Sequence, residues 1–131
     1  MTILIDTSVW KNLFRDKTGS IQNRVSEIVG DDDIVLARFN QLELLQGAIN
    51  ESEWILLSDY LEVQDYLEAS ADTWREAARI YYDLRRRGQT VRSTIDCCIA
   101  QIAIEHQALL LHEDPDFESI ADIRPLVQRR T

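Results

Sequence analysis

Asp6, Glu43, Asp96 and Asp114 are the residues of this chain best suited to chemistry. Asp6 closes the apolar run Ile3-Leu4-Ile5, and Asp114 follows Ala108-Leu109-Leu110-Leu111 after two intervening residues. Glu43 and Asp96 each fall in the first turn of a helix that the apolar spacing predicts. In open α/β sheets the working crevice lies outside the carboxyl ends of the strands, and helix first turns project toward the same rim. Carboxylates gathered there repel one another unless a cation sits among them. Hard divalent ions such as Mg²⁺ or Mn²⁺ take oxygen ligands, so the pattern points to metal-assisted chemistry.

Each acid also has an ordinary structural account. Asp6 and Ser8 are good helix starters ahead of Val9, and at Asp6 capping and catalysis weigh about equally. Asn40-Gln41-Leu42-Glu43 and Ser93-Thr94-Ile95-Asp96 both have the shape of a capping box. Taken singly, capping is the better account. Their joint placement carries the functional reading, because Ser or Asn would cap without the repulsion.

The elements that must position these acids alternate along the chain. Ile3 to Asp6, Ile34 to Leu36 and Ala108 to Leu111 read as strands, with Val63 to Leu67 a further short one and 124–127 a last edge strand. Helices are predicted at about 9–14, 21–29, 41–49, 53–61, 71–87, 95–106 and 116–121, with Gly88 a natural end to the fifth. Strands separated by helices imply an α/β fold with a mostly parallel sheet of about five strands and helices on both faces.

With 131 residues and no linker-like or repeated segment, residues 1–131 read as a single domain. No apolar run reaches the roughly 18 residues of a membrane span. The first strand begins right after Met1, which leaves no room for a signal peptide, so a cytoplasmic location is expected. Cys97 and Cys98 are neighbours and poor disulfide partners, and read as small apolar residues in a reducing compartment. The net charge of −9 argues against a protein that coats nucleic acid nonspecifically but leaves a nuclease open, since the acids would be offset by an ion.

Asp6-Thr7-Ser8 after an apolar strand, Glu43-Leu44-Leu45 before Gly47-Ala48, Asp96 with Ile99-Ala100, and Asp114 with Asp116-Phe117 resemble the PIN-domain nucleases, VapC-type toxins of toxin–antitoxin pairs in particular. The resemblance covers essentially the whole chain. It implies a three-layer α/β/α sandwich and a Mg²⁺- or Mn²⁺-dependent endoribonuclease held inactive by a cognate antitoxin. It further implies a homodimer, within a larger assembly when the antitoxin is bound. Asp6, Glu43, Asp96 and Asp114 match the family's acidic quartet; Asp6, Asp96, Asp114 and the additional acid Asp116 are the implied metal ligands. Ser8 matches a hydroxyl or amide side chain near the metal. His112 stands where the family usually has Thr or Ser, and is expected to act beside the ligands rather than as one, by bonding a metal-bound water, carrying a proton or covering the site edge.

One or two ions held by these carboxylates would activate a water against an RNA phosphodiester and leave a 5′-phosphate. The cations expected at the RNA are Arg38, after the second strand, and Arg92, before Asp96. For Arg85-Arg86-Arg87, RNA contact and complementing a helix C-terminus weigh about equally. Tyr81 and Tyr82 cannot both face one core, so one is open to a partner. Two other acid-bearing α/β families fit less well. A haloacid-dehalogenase phosphatase needs an Asp where Ser8 stands, and a phospho-receiver domain needs a Lys late in the chain, whereas the only lysines are Lys11 and Lys17. The alternative of a different class is a noncatalytic interaction module on the same fold, which keeping all four acids argues against.

Overall fold

The apolar runs become the middle of the sheet in the computed structural model, which describes residues 1–131. The order begins β1 (Thr2–Ile5), α1 (Thr7–Arg15), α2 (Ser20–Val29), β2 (Asp33–Ala37), α3 (Arg38–Gln46) and α4 (Glu51–Glu62). It continues β3 (Tyr66–Leu67), α5 (Thr73–Arg86), α6 (Thr94–Glu105), β4 (Leu109–His112), α7 (Pro115–Ala121) and β5 (Gln128–Arg130). The five strands lie in the order β3-β2-β1-β4-β5, and every neighbouring pair is parallel.

Strand side chains alternate between faces, and the core follows that period of two. Ile3, Ile5, Leu36 and Leu111 pack with α1 to α4, whereas Leu4, Val35, Ala37 and Leu110 pack with α5 to α7. Both faces of the sheet are thus covered, as the unbroken apolar strands require, and the three-layer α/β/α expectation holds. β1 sits between β2 and β4, pairing Leu4 with Val35 on one side and Leu110 on the other. The strand ends Ile5, Ala37 and His112 therefore reach one rim.

Several boundaries differ from expectation. α3 starts at Arg38, not near 41, so Glu43 lies in the second helical turn and Asn40 inside the helix. Asn40 reaches back instead, its Oδ1 accepting from the Ala37 amide at 2.8 Å, which does the work of a cap from three residues downstream. The third strand shrinks to two residues because Val63 and Gln64 form the turn that closes α4. The last strand falls at Gln128–Arg130, beyond Pro125, which has no amide to give a ladder. Gly88 ends α5 as expected: it adopts φ +78°, and the amides of Gly88 and Gln89 bond the carbonyls of Arg85 and Leu84.

Candidate active site

Asp6 is both a cap and a site acid. Its amide bonds the Leu111 carbonyl at 2.9 Å, which fixes the end of β1 against β4. Its Oδ2 accepts from the Ser8 amide at 3.1 Å and the Ser8 hydroxyl at 2.6 Å. The same Ser8 hydroxyl accepts from the Glu113 amide at 3.0 Å, so Ser8 ties the start of α1 to the loop after β4. Asp114 is also a cap: its Oδ1 accepts from the Asp116 amide at 3.0 Å at the start of α7.

Asp96 is different. Ser93 caps α6 by accepting from the Ile95 amide, and no protein donor reaches the Asp96 carboxylate. The capping-box account of Asp96 therefore fails: Ser93 does that work alone. Burial pushes the Asp96 carboxyl up to about 7, helped by the neighbouring charges of Asp114, Asp6, Asp116 and Glu43. One oxygen each from Asp96, Asp114 and Asp116 lies within 4.8 Å of the others. Asp6 and Glu43 stand outside that tight trio but act on it through charge.

Glu43 is held by residues the sequence reading missed. Asn40 Nδ2 donates to Thr7 Oγ1 at 3.1 Å, and Thr7 Oγ1 donates to Glu43 Oε1 at 3.0 Å. With the Ala37 amide bonding Asn40 Oδ1, these bonds form a directed chain from the end of β2 to the acid. Burial raises the Glu43 carboxyl, the Thr7 bond opposes that rise, and Asp6 adds to it. The available signal was positional: a Thr directly after Asp6, and an Asn one turn before Glu43.

His112 is fully buried, and both ring nitrogens are taken. Nδ1 faces the Asp114 amide at 3.1 Å and so accepts; Nε2 then carries the proton and donates to Gln128 Oε1 at 2.6 Å. Both nitrogens are thus engaged by protein groups, one in the loop before α7 and one in β5. The ring lies against Phe117 and fixes the backbone that carries Asp114.

Arg92 lies on the acids themselves. Its Nη2 bonds Asp114 Oδ1 at 3.1 Å, Nε reaches Asp116 Oδ2 at 3.5 Å, and its amide bonds the same Asp116 oxygen at 3.2 Å. Arg38 is committed elsewhere, with Nε 3.0 Å from Glu68 and the guanidinium 3.9 Å over the Tyr66 ring. Cys97 is buried, which pushes its thiol up to about 12, and the donors that cluster are all carboxylates. The donor set is therefore oxygen alone, converging and under-compensated, which suits a hard divalent cation.

The PIN domain family matches residues 3–123. The chain is 39% identical over 128 residues to VapC ribonuclease Mb1587 of Mycobacterium bovis, covering 95% of each. It is 33% identical over 120 residues to Ribonuclease VapC51 of Mycobacterium tuberculosis, covering 92% of this chain and 85% of that one. Among solved structures, VapBC2 from Rickettsia felis, bound to a promoter DNA fragment, superposes with a TM-score of 0.80 at 18% identity, covering 100% of this chain and 99% of that one. VapBC-1 from nontypeable Haemophilus influenzae does so at 0.79 and 21%, covering 99% and 98%.

Proposed function

The chain belongs to the PIN-domain family, and on that premise we propose that it is a metal-dependent endoribonuclease, the toxin of a toxin–antitoxin pair. One observation carries this reading: Asp96 is half-buried among four other acids with no protein donor to balance it. Relatives alike over nearly the full length bear ribonuclease names, which supports RNA as the substrate.

Asp96, Asp114 and Asp116, with Asp6 beside them, would hold Mg²⁺ or Mn²⁺. Such an ion, when bound, supplies Lewis acidity toward water and phosphate. The chain supplies the rest. Glu43, steadied by Thr7 and raised by burial, would accept a proton from the attacking water. Ser8 holds Asp6 in position, and His112 holds the backbone of Asp114. Arg92 offers a guanidinium to the scissile phosphate, whereas Arg38 would have to leave Glu68 to meet RNA farther along the rim.

An antitoxin would meet the groove of about 660 Å³ between α1, α3 and α4, where Phe14, Leu56 and Tyr60 are exposed beside Glu43. An apolar helix with a basic tail fits that combination. The exposed Trp54 and Ile55 of α4 support a homodimer as the working form.

The test uses purified, partner-free protein and cellular RNA. Cleavage is expected with Mg²⁺ or Mn²⁺ and none in excess EDTA. Equal cleavage in EDTA, or none with either metal, would overturn the proposal.

A further inference from the structure

The outward face of α5 carries a pattern that its packing leaves unexplained. Thr73, Ala77, Ile80 and Leu84 form the buried side of the helix. The same spacing, displaced by two residues, gives Arg75, Arg79, Tyr82 and Arg86, all exposed. That displacement turns the second stripe away from the core. The Arg79 guanidinium lies 4.7 Å from the centroid of the Tyr82 ring and that of Arg86 lies 5.7 Å from it, while Arg85 covers Tyr81 at 5.6 Å. A shallow groove of about 580 Å³ runs along Arg75, Arg79, Tyr81, Tyr82 and Arg85, with Glu76 the one acid lining it.

The stripe is also where the positive charge of the chain is gathered. Residues 73–92 hold six of the fourteen Lys and Arg against two acids, Glu76 and Asp83, a net charge of +4. The rest of the molecule carries −13. One acid of the helix is already used, since Asp83 is shared by Arg79 at 3.0 Å and Arg124 at 2.7 Å.

The stripe leads to the acids. Thr73, at the start of α5, donates to Glu105, at the end of α6, at 2.8 Å, so the two helices run antiparallel. The C-terminal arginines of α5 therefore lie at the end of the molecule where α6 presents Asp96. Arg92 follows Arg86 by six positions, a reach of at most about 21 Å.

We infer that the Arg75–Arg79–Tyr82–Arg86 stripe is the track along which a single-stranded RNA lies as it enters the acid site. The inference rests on the ribonuclease reading and extends it to how the substrate is held. The guanidinium groups meet successive phosphates, and the Tyr82 ring offers a base a face to stack on, with an arginine beside it. The stripe spans about 16 Å of helix, room for a few nucleotides. A polyanion with flat bases matches regularly spaced cations on aromatic rings more closely than an acidic protein surface does.

A labelled single-stranded RNA of about 20 nucleotides, titrated in EDTA over a salt series, tests this. In Arg75→Gln/Arg79→Gln/Arg86→Gln the affinity at low salt should fall about tenfold or more, and the salt slope should lessen by about 2, at roughly 0.7 per lost phosphate contact. Tyr82→Leu should cost about fivefold or more with the slope kept. Arg24→Gln/Arg129→Gln, on the far side at α2 and β5, should change neither. Thermal melts and Mn²⁺ binding check that the triple variant is folded; the single variants, each removing about 0.7 of slope, serve if it is not. An unchanged slope in these variants overturns the inference. So does a shift from dimer to monomer in sedimentation with RNA binding intact, which would make the face a contact between copies. Wild-type protein that neither binds nor cleaves RNA would instead remove the ribonuclease reading itself.

Discussion

The guanidinium of Arg92, bonded to Asp114 and reaching Asp116, already neutralises part of the acid cluster. A metal ion and this arginine then compete for the same oxygens. Arg92→Ala should bind Mn²⁺ about two- to fivefold more tightly, the range that suits an exposed ion pair, while its RNA affinity falls. Calorimetric titration of both variants checks this, and weaker metal binding in Arg92→Ala would count against it. Asp96 gives a second test at the same scale. Its carboxyl stands at about 7 in the folded protein against an ordinary 3.8. Between those values the folded state holds a proton that the unfolded chain has released, so stability falls as pH rises through about 7. In EDTA, wild-type protein should gain in melting temperature on acidification from pH 8 to pH 5. Asp96→Asn should lose this part of the gain and melt no lower than wild type at pH 8. Mg²⁺ at a hundredfold excess over its dissociation constant should stabilise wild type by about 2.7 kcal/mol and the variant much less. Equal responses of the two proteins to Mg²⁺ would return Asp96 to a purely structural role.

At the scale of elements, the bond chain from Ala37 through Asn40 and Thr7 to Glu43 joins β2, α3 and α1. Asn40→Ala leaves the buried Ala37 amide without its partner and frees Thr7, which should cost about 1–3 kcal/mol in urea unfolding and lower cleavage by loosening Glu43. A variant as stable as wild type would show that water replaces the side chain. This chain also marks where the sequence was readable and where it was not. β1 and β4 were legible because unbroken apolar runs such as Leu109–Leu111 have few alternatives to a doubly covered strand, and Asp6 and Asp114 followed from their ends. The start of α3 was misplaced because Asn is a good cap, and nothing local reveals that Asn40 reaches back to Ala37. The pairing of Arg92 with Asp114 and Asp116 spans more than twenty residues, and the closure of His112 onto Gln128 depends on a β4–β5 pairing that sequence periodicity does not specify. Local pattern placed the acids on the right elements; the contacts that orient them are long-range.

At the scale of the whole molecule, the division of charge between residues 73–92 and the remainder would direct a polyanion to one side of the protein. If the acid site is the source of toxicity, producing the protein alone should arrest bacterial growth and Asp6→Asn should relieve the arrest, read by plating after induction. Equal arrest by both proteins would place the toxicity elsewhere. The sheet has a consequence of its own. One edge, β3, is two residues long, and the other, β5, ends in exposed Arg129 and Arg130. Short and charged edges make poor templates for another strand. Strand addition is therefore disfavoured at both edges, which leaves the helical faces as the better docking surfaces. Copies of the protein that meet at these edges find no long open ladder along which to zip together.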